Sequence, residues 1–299
     1  MTIVKYRTLI FIITGILLAG AIGAIATYGL PLGIDFTGGT AMQISYPEGR
    51  PALADVQAQI AKVSLGVVSV RESGNDAITI HSRTMTPEEH LAVLAALSEK
   101  AKPTELSYSS VGPTFGTQFA AKALWALVAV ALSIALFIAF AFRKVSRPVP
   151  SWIYGLTVIV ILVHDLIVPA GFYAVLAHMT GADVDVLFVT ALLALLGYSV
   201  NDTIIVFDRV REHLATNERT NSKESFEVTV GKSISETLTR SINTSLTVVL
   251  ALLALVFYGA TATRDFALVM LVGVIAGTYS SVLVAAPLLI PLSRWYTKK

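Results

Sequence analysis

TLIFIITGILLAGAIGAIATYGL, running from Thr8 to Leu30, contains no charged residue and follows directly on Lys5 and Arg7. About 20 apolar residues in a helix cross the roughly 30 Å hydrocarbon layer of a bilayer, so this run is long enough to span one. Five further runs of the same character follow, at about 118–142, 150–177, 184–208, 240–258 and 265–292. The chain therefore reads as an α-helical polytopic membrane protein with six transmembrane helices, both ends on the same side. Composition agrees: of 299 residues 55% are hydrophobic and 14% charged, against roughly 25% charged in soluble domains. A net charge of only +2 argues against nucleic-acid binding, and with no cysteine there are no disulfides, thiolate metal sites or thiol nucleophiles. Ala24-Ile25-Ala26 resembles a signal-peptidase site, yet the run exceeds the roughly 7–15 residues of a signal core. A retained first helix is the expectation.

Lys and Arg in short loops mark the cytoplasmic side of a membrane protein. They fall at Lys5 and Arg7, at Arg143, Lys144 and Arg147, at Arg209, Arg211, Arg219, Lys223 and Lys232, and at Arg294, Lys298 and Lys299. These segments alternate with connections that lack the bias: Asp183 and Asp185 stand alone between the third and fourth runs, and Arg264 is offset by Asp265 before the sixth. Both termini are thus expected in the cytoplasm, with a cytoplasmic loop at about 209–239, and residues 31–117 are expected outside.

That outer segment has a pattern of its own. Thr40–Tyr46 alternates as a strand, Pro51–Val63 has helical periodicity, and Val67–Glu72 and Ala77–Ser82 read as strands around a turn at Ser73-Gly74-Asn75-Asp76. Thr86-Pro87-Glu88-Glu89 has the form of a helix start, leading to about Lys100, and Leu106–Val111 closes the set as a strand. The order β-α-β-β-α-β predicts a ferredoxin-like domain. Domains are therefore expected at 1–30 (first helix), 31–117 (outer domain) and 118–299 (five-helix membrane part).

Ionisable residues inside membrane helices are costly, about 2.5–3.5 kcal/mol at mid-bilayer, and mark functional positions by default. Few occur here: His164-Asp165 in the third run, Asn201-Asp202-Thr203 in the fourth, and Arg240 leading Ser241-Ile242-Asn243 in the fifth. Asp202 lies near the inner end of a descending helix and Arg240 near the start of the returning one, so a direct or water-linked ion pair is feasible. Two readings of Asp202 fit: a fixed carboxylate neutralised by Arg240, or a carboxyl that cycles its proton. Asp165 lies deeper, roughly 22 Å from the cytoplasmic face after about fifteen helical residues. Since adjacent helical residues do not face one another, His164 or Asp165 needs a partner elsewhere. Asp208, Arg209, Arg211 and Glu212 read as a solvated interfacial cap, and Gly273 and Gly277 as a helix-packing step. No HExxH, GxSxG or P-loop is present, and the histidines form no ligand cluster. No catalytic residue, metal or cofactor is expected.

Four motifs carry a resemblance: Gly33-Ile34-Asp35-Phe36-Thr37-Gly38-Gly39-Thr40 after the first run, His164-Asp165, the stretch from Gly197 to Glu212, and Thr237 to Ser245. Together they resemble the SecF branch of the SecD/SecF family of bacterial protein-export membrane proteins, across nearly the whole chain. The resemblance implies an RND-like half that works with SecD beside the SecYEG channel, with YajC and YidC as further partners. It implies use of the proton-motive force to draw preproteins outward after SecA has started translocation, in the bacterial inner membrane. It puts the proton-linked acid at Asp202 and the motif arginine at Arg240, with Asp165 and Asn201 as accompanying positions. Asp35, Phe36, Gly38, Gly39, Gly197, Asp208, Arg209 and Asn243 match motif positions without an individual role. The connection at about 213–232 is short for the family. Two other classes remain open: an RND-type exporter subunit for small molecules or lipids, against which the short outer segment argues, and a scaffold that transports nothing.

Overall fold

The computed structural model describes residues 2–73, 76–99, 101–143 and 149–297. Gly74 and Asn75 of the expected turn, Lys100 at the expected helix end, and Lys144, Arg147, Lys298 and Lys299 of the charge pattern lie outside the described residues. Among those described, six helices are long and apolar enough to cross a membrane: Arg7–Tyr28, Pro113–Ala141, Ser151–Thr180, Val186–Arg219, Phe226–Tyr258 and a composite run Thr263–Tyr296. They are called the first to sixth spans. The chain divides into two compact units, one of Met1–Thr27, Ala126–Tyr173 and Leu187–Lys299, the other of Tyr28–Trp125 and Ala174–Val186.

In the helical unit the third, fourth and sixth spans form the centre, whereas the first has no buried residue. Leu9, Ile12, Ile13 and Ile16 of the first span stay exposed, an arrangement that suits a hydrocarbon solvent rather than water. The core runs through Phe142, Tyr154 and Phe207, whose rings stack or meet edge-on at 5.2–6.2 Å. The sixth span is one continuous rod with a change of winding: α-helix over Thr261–Tyr279, π-helix over Ser280–Ala285, then α-helix over Ala286–Thr297.

The expected loop at 209–239 is a correction. The fourth span runs on as helix to Arg219 and the fifth begins at Phe226, which leaves only residues 220–225 between them, with Asn221 at φ +50° in the turn. Thirty-four helical residues reach about 51 Å, beyond the roughly 30 Å hydrocarbon layer. The extension is amphipathic: Val206, Phe207 and Val210 are buried with Val230 and Ile234 in one cluster, while its outer side carries the ion pairs Asp208–Arg211 (2.5 Å) and Arg209–Glu212 (2.5 Å). The apolar run stops where the charges begin, although the helix does not. At this same end Glu227 pairs with Arg7 at 3.3 Å and also with Arg294, which brings together the amino-terminal ends of the first and fifth spans and the carboxyl-terminal end of the sixth.

The second unit holds strands β1 (Gly39–Ser45), β2 (Ser69–Ser73), β3 (Ala77–Ser82) and β4 (Thr104–Val111) with helices Leu53–Ile60 and Pro87–Leu97. The sheet order is β2-β3-β1-β4 and each neighbouring pair is antiparallel. Met42, Ile44, Ile78 and Ile80 project from the sheet onto Val56, Ile60, Val93 and Leu97 of the two helices, and all eight are buried. Period-two alternation in the strands and the 3.6-residue stripe in the helices thus meet in one layer.

The helix Pro87–Leu97 starts with a full capping box: the Thr86 hydroxyl accepts from the Glu89 amide and the Glu89 carboxylate from the Thr86 amide. Arg83 also grips this carboxylate, and these hydrogen bonds, that of Arg83 foremost, pull Glu89 from 4.5 down to about 2. Between those values the unfolded chain binds more protons than the folded one, so this contribution is complete above about pH 4.5 and disappears as pH falls towards 2. Amide-exchange protection factors over Pro87–Leu97 should accordingly fall on acidification through that window in the wild type. In Glu89→Gln they should start lower and show no such step.

Candidate functional site

Third, fourth and sixth spans converge on one carboxylate. Asp165 is 1% exposed; its Oδ1 accepts from His164 Nδ1 at 2.8 Å and from Ser280 Oγ at 2.7 Å, and its Oδ2 accepts from Ser199 Oγ. His164 Nε2 meets the hydroxyl of Tyr279. Adjacent helical residues leave the axis about 100° apart, yet the imidazole turns back onto its neighbour, so the expectation that His164 and Asp165 do not face each other is corrected. Each also has the outside partner that the geometry demanded. Ser281, next to Ser280, turns to the fourth span instead, donating to Ser199 O at 3.1 Å and sharing a hydrogen bond of 2.8 Å with Thr203.

Asp202 is also buried, one turn beyond Ser199. Its Oδ2 lies 3.5 Å from Ser245 Oγ of the fifth span, and that hydroxyl accepts from Tyr198 at 3.1 Å and from Thr278 at 2.7 Å. No ion pair joins Asp202 to Arg240 among the described residues; Arg240 is near enough for its charge to act on the carboxylate, but its side chain is exposed. Of the direct and water-linked forms feasible for that pair, the direct one is not made here. Asn201 and Asn243 are likewise exposed on the fourth and fifth spans. A cavity of about 340 Å³ between the fifth and sixth spans is lined by apolar side chains such as Ile242, Leu246 and Ile275, and by Ser245 and Thr278.

The other motif residues divide by place. Asp35 Oδ2 accepts from the Val186 amide at 3.0 Å, at the first residue of the fourth-span helix, where the helix dipole favours an anion. Phe36 is buried against Phe119, ring centres 5.7 Å apart. Gly38 has φ +74°, and a Cβ there would lie 2.8 Å from Pro113 N; Gly39 has φ +118°, and its Cβ would meet Ser82 O at 2.5 Å. Both need glycine on two counts. Gly197 faces open space. Asp208 and Arg209 belong to the ion-paired cap described above, which Glu236 of the fifth span completes by pairing with both Arg209 and His213 of the fourth.

Sequence alone assigned no role to Ser199, Thr203 and Ser245, which lie within the motif stretches, and did not single out Thr278, Tyr279, Ser280 and Ser281. A signal existed, since Ser199 and Thr203, and Ser241 and Ser245, recur at i and i+4, and small polar residues at that spacing line one face of a membrane helix. Among the described residues no three His, Asp or Glu side chains are grouped to hold a metal.

Comparison with known proteins gives consistent results. Residues 92–295 match the family "Protein export membrane protein SecD/SecF, C-terminal", and residues 23–46 match the SecD/SecF GG motif. The chain is 37% identical to protein translocase subunit SecF of Thermobaculum terrenum, covering 96% of this chain and 92% of that one. It is 35% identical to the SecF subunit of Anaerolinea thermophila, covering 97% and 93%. Among solved structures it is similar to SecDF, a translocon-associated membrane protein from Thermus thermophilus, with a TM-score of 0.84 and 28% identity; the match covers 98% of this chain and 39% of that longer one.

Close packing supports the carboxylate site. A Cβ at Gly277 would lie 2.9 Å from Ser199 Cβ, whereas one at Gly197 meets nothing within 4 Å. Gly277→Ala should overpack the contact between the fourth and sixth spans and destabilise the protein by about 1–3 kcal/mol. Gly197→Ala should be neutral or slightly stabilising. Thermal unfolding in detergent distinguishes the two.

Proposed function

Because the chain belongs to the SecD/SecF family of protein-export membrane proteins, we propose that it acts as a SecF-type subunit of the protein translocase, paired with SecD and using the proton-motive force to promote late, ATP-independent export of preproteins. SecYEG is the channel it serves, with YajC and YidC as accessory partners in the bacterial inner membrane. The observation that carries this reading is the exposure of Arg240, Asn201 and Asn243 on membrane-spanning helices, on the fifth beside exposed apolar residues such as Ile242, Leu246 and Leu250. An arginine turned towards lipid costs about 2.5–3.5 kcal/mol at mid-bilayer; a second membrane protein covering that face removes the cost. SecD is the partner that suits it, and the SecDF chain matched above is long enough to contain a second half of this kind.

Asp202 and Arg240 are the coupling pair in this reading, with Asp165 and Asn201 beside them. A proton on Asp202 cancels the attraction that Arg240 exerts on it, and the fourth, fifth and sixth spans lose one tie through Ser245 and Thr278. A membrane potential contributes about 2.3 kcal/mol per charge per 100 mV, enough to bias such a two-state element more than tenfold. The β-α-β-β-α-β unit, ferredoxin-like in its strand order, is the outer domain that moves with the helices and grips the emerging chain. Asp35, Gly38 and Gly39 hold its entry and exit.

In inside-out vesicles containing the complex with SecD, Asp202→Asn should abolish the proton-dependent enhancement of export while the complex still purifies intact. Export at the wild-type rate would instead favour a scaffold. The convergence of Arg7, Glu227 and Arg294 supports an orientation with both chain ends and the 220–225 turn in the cytoplasm. The chain has no cysteine, so single cysteines report sidedness directly. Glu218→Cys should be labelled by an impermeant reagent only from the cytoplasmic side, and Glu48→Cys only from the outer side.

A further inference from the structure

We propose that His164, held between Asp165 and Tyr279, forms a second proton-carrying site in the spans, separate from Asp202, and that the π-helical turn of the sixth span reads its state. The proposal rests on the proton-coupled reading above and adds residues to it.

The donors around Asp165 set the tautomer. With three donors on the carboxylate, from His164 Nδ1, Ser280 and Ser199, the anionic form is satisfied without a Lys or Arg, and among the described residues His164 is its one ionisable partner. Nδ1 then holds its hydrogen and Nε2 is an acceptor towards the Tyr279 hydroxyl. In this state the buried pair has a net charge of −1.

A proton arriving from water forms one N–H bond, at Nε2, and breaks none within the protein. The Tyr279 oxygen changes from donor to acceptor, and its own hydrogen turns towards Thr14 of the first span, which lies near enough to act on that hydroxyl. The pair becomes an imidazolium and a carboxylate with no net charge. A medium of low polarity favours that neutral sum over the isolated anion, so the site binds and returns a single proton without a metal or a distant counter-ion. The groups that face it are Asp165 on its own helix, Thr14 on the first span, Ser199 on the fourth, and Tyr279 and Ser280 on the sixth.

The sixth span is placed to respond. Tyr279 ends the α-helix and Ser280 begins the π-helix, a winding found often at functional positions. Ser280 binds the carboxylate, Ser281 the fourth span, and Thr278 the hydroxyl beside Asp202. Successive residues of one turn thus touch both carboxyl sites.

Nitrogen-15 NMR of the full chain, labelled at its histidines and embedded in lipid nanodiscs, tests this without any transport assay. The signal removed by His164→Gln should show a ring protonated at Nδ1 alone at high pH and at both nitrogens at low pH. Asp165→Asn should weaken proton binding at this ring at least tenfold. Tyr279→Phe, which removes a single hydroxyl, should leave the ring able to titrate but change the Nε2 shift. A ring fixed in one form from pH 4 to 9, or one indifferent to both variants, overturns the proposal. Export that is insensitive to Asp202→Asn would overturn the coupled reading while leaving this site standing.

Discussion

A carboxylate inside a hydrocarbon layer has no water to bind it, so its hydrogen-bond donors must come from the protein. Asp165 sets this requirement for the helical unit. Its donors come from three different spans: His164 on its own, Ser199 on the fourth, and Ser280 on the sixth. Satisfying it fixes both the rotation and the depth of these helices relative to one another. The backbones must also approach closely, which explains why Gly273 and Gly277 stand where the sixth span crosses Leu195 and Ser199.

The winding of the sixth span follows from the same constraint. Tyr279 must reach His164, Ser280 the carboxylate, and Ser281 the backbone and hydroxyl of the fourth span. A widened turn offers neighbouring side chains directions that a regular α-helix lacks. Thr278, on the other side of the turn, is left to serve Ser245 and through it Asp202. The two acidic sites therefore share one helix segment, and each has its own set of hydroxyls.

Elsewhere the forces are those of ordinary globular proteins. The α/β unit is held by a single apolar layer between sheet and helices, with helix ends satisfied by Thr86 and Glu89. Its link to the chain around it depends on backbone shape: Gly38 and Gly39 take conformations that L side chains rarely adopt, pressed against Pro113 and Ser82. Beyond the apolar part of the fourth and fifth spans, charge on one side and Val206, Phe207, Val230 and Ile234 on the other keep the two helices going as a hairpin.

Periodicity and hydropathy alone determined the six spans, the strand and helix order of the second unit, the capped start at Thr86, and the small set of ionisable residues inside the spans. These are local properties: a run of apolar residues, a period of two or 3.6, or an isolated acid can be read without knowing what lies opposite. The continuation of helix through 209–219 and 226–239 was hidden because an amphipathic helix outside the membrane resembles a charged loop in hydropathy. The partners of Asp165 and Asp202 were hidden for a different reason. Ser199, Ser245, Thr278 and Ser280 are common residues whose importance arises only from being brought to within hydrogen-bond distance of a carboxylate. The tertiary structure alone decided that Asp202 turns to Ser245 rather than to Arg240, and that His164 bonds to its own neighbour. Which donors reach a buried charge depends on the packing of several helices at once, and no one segment's sequence specifies it.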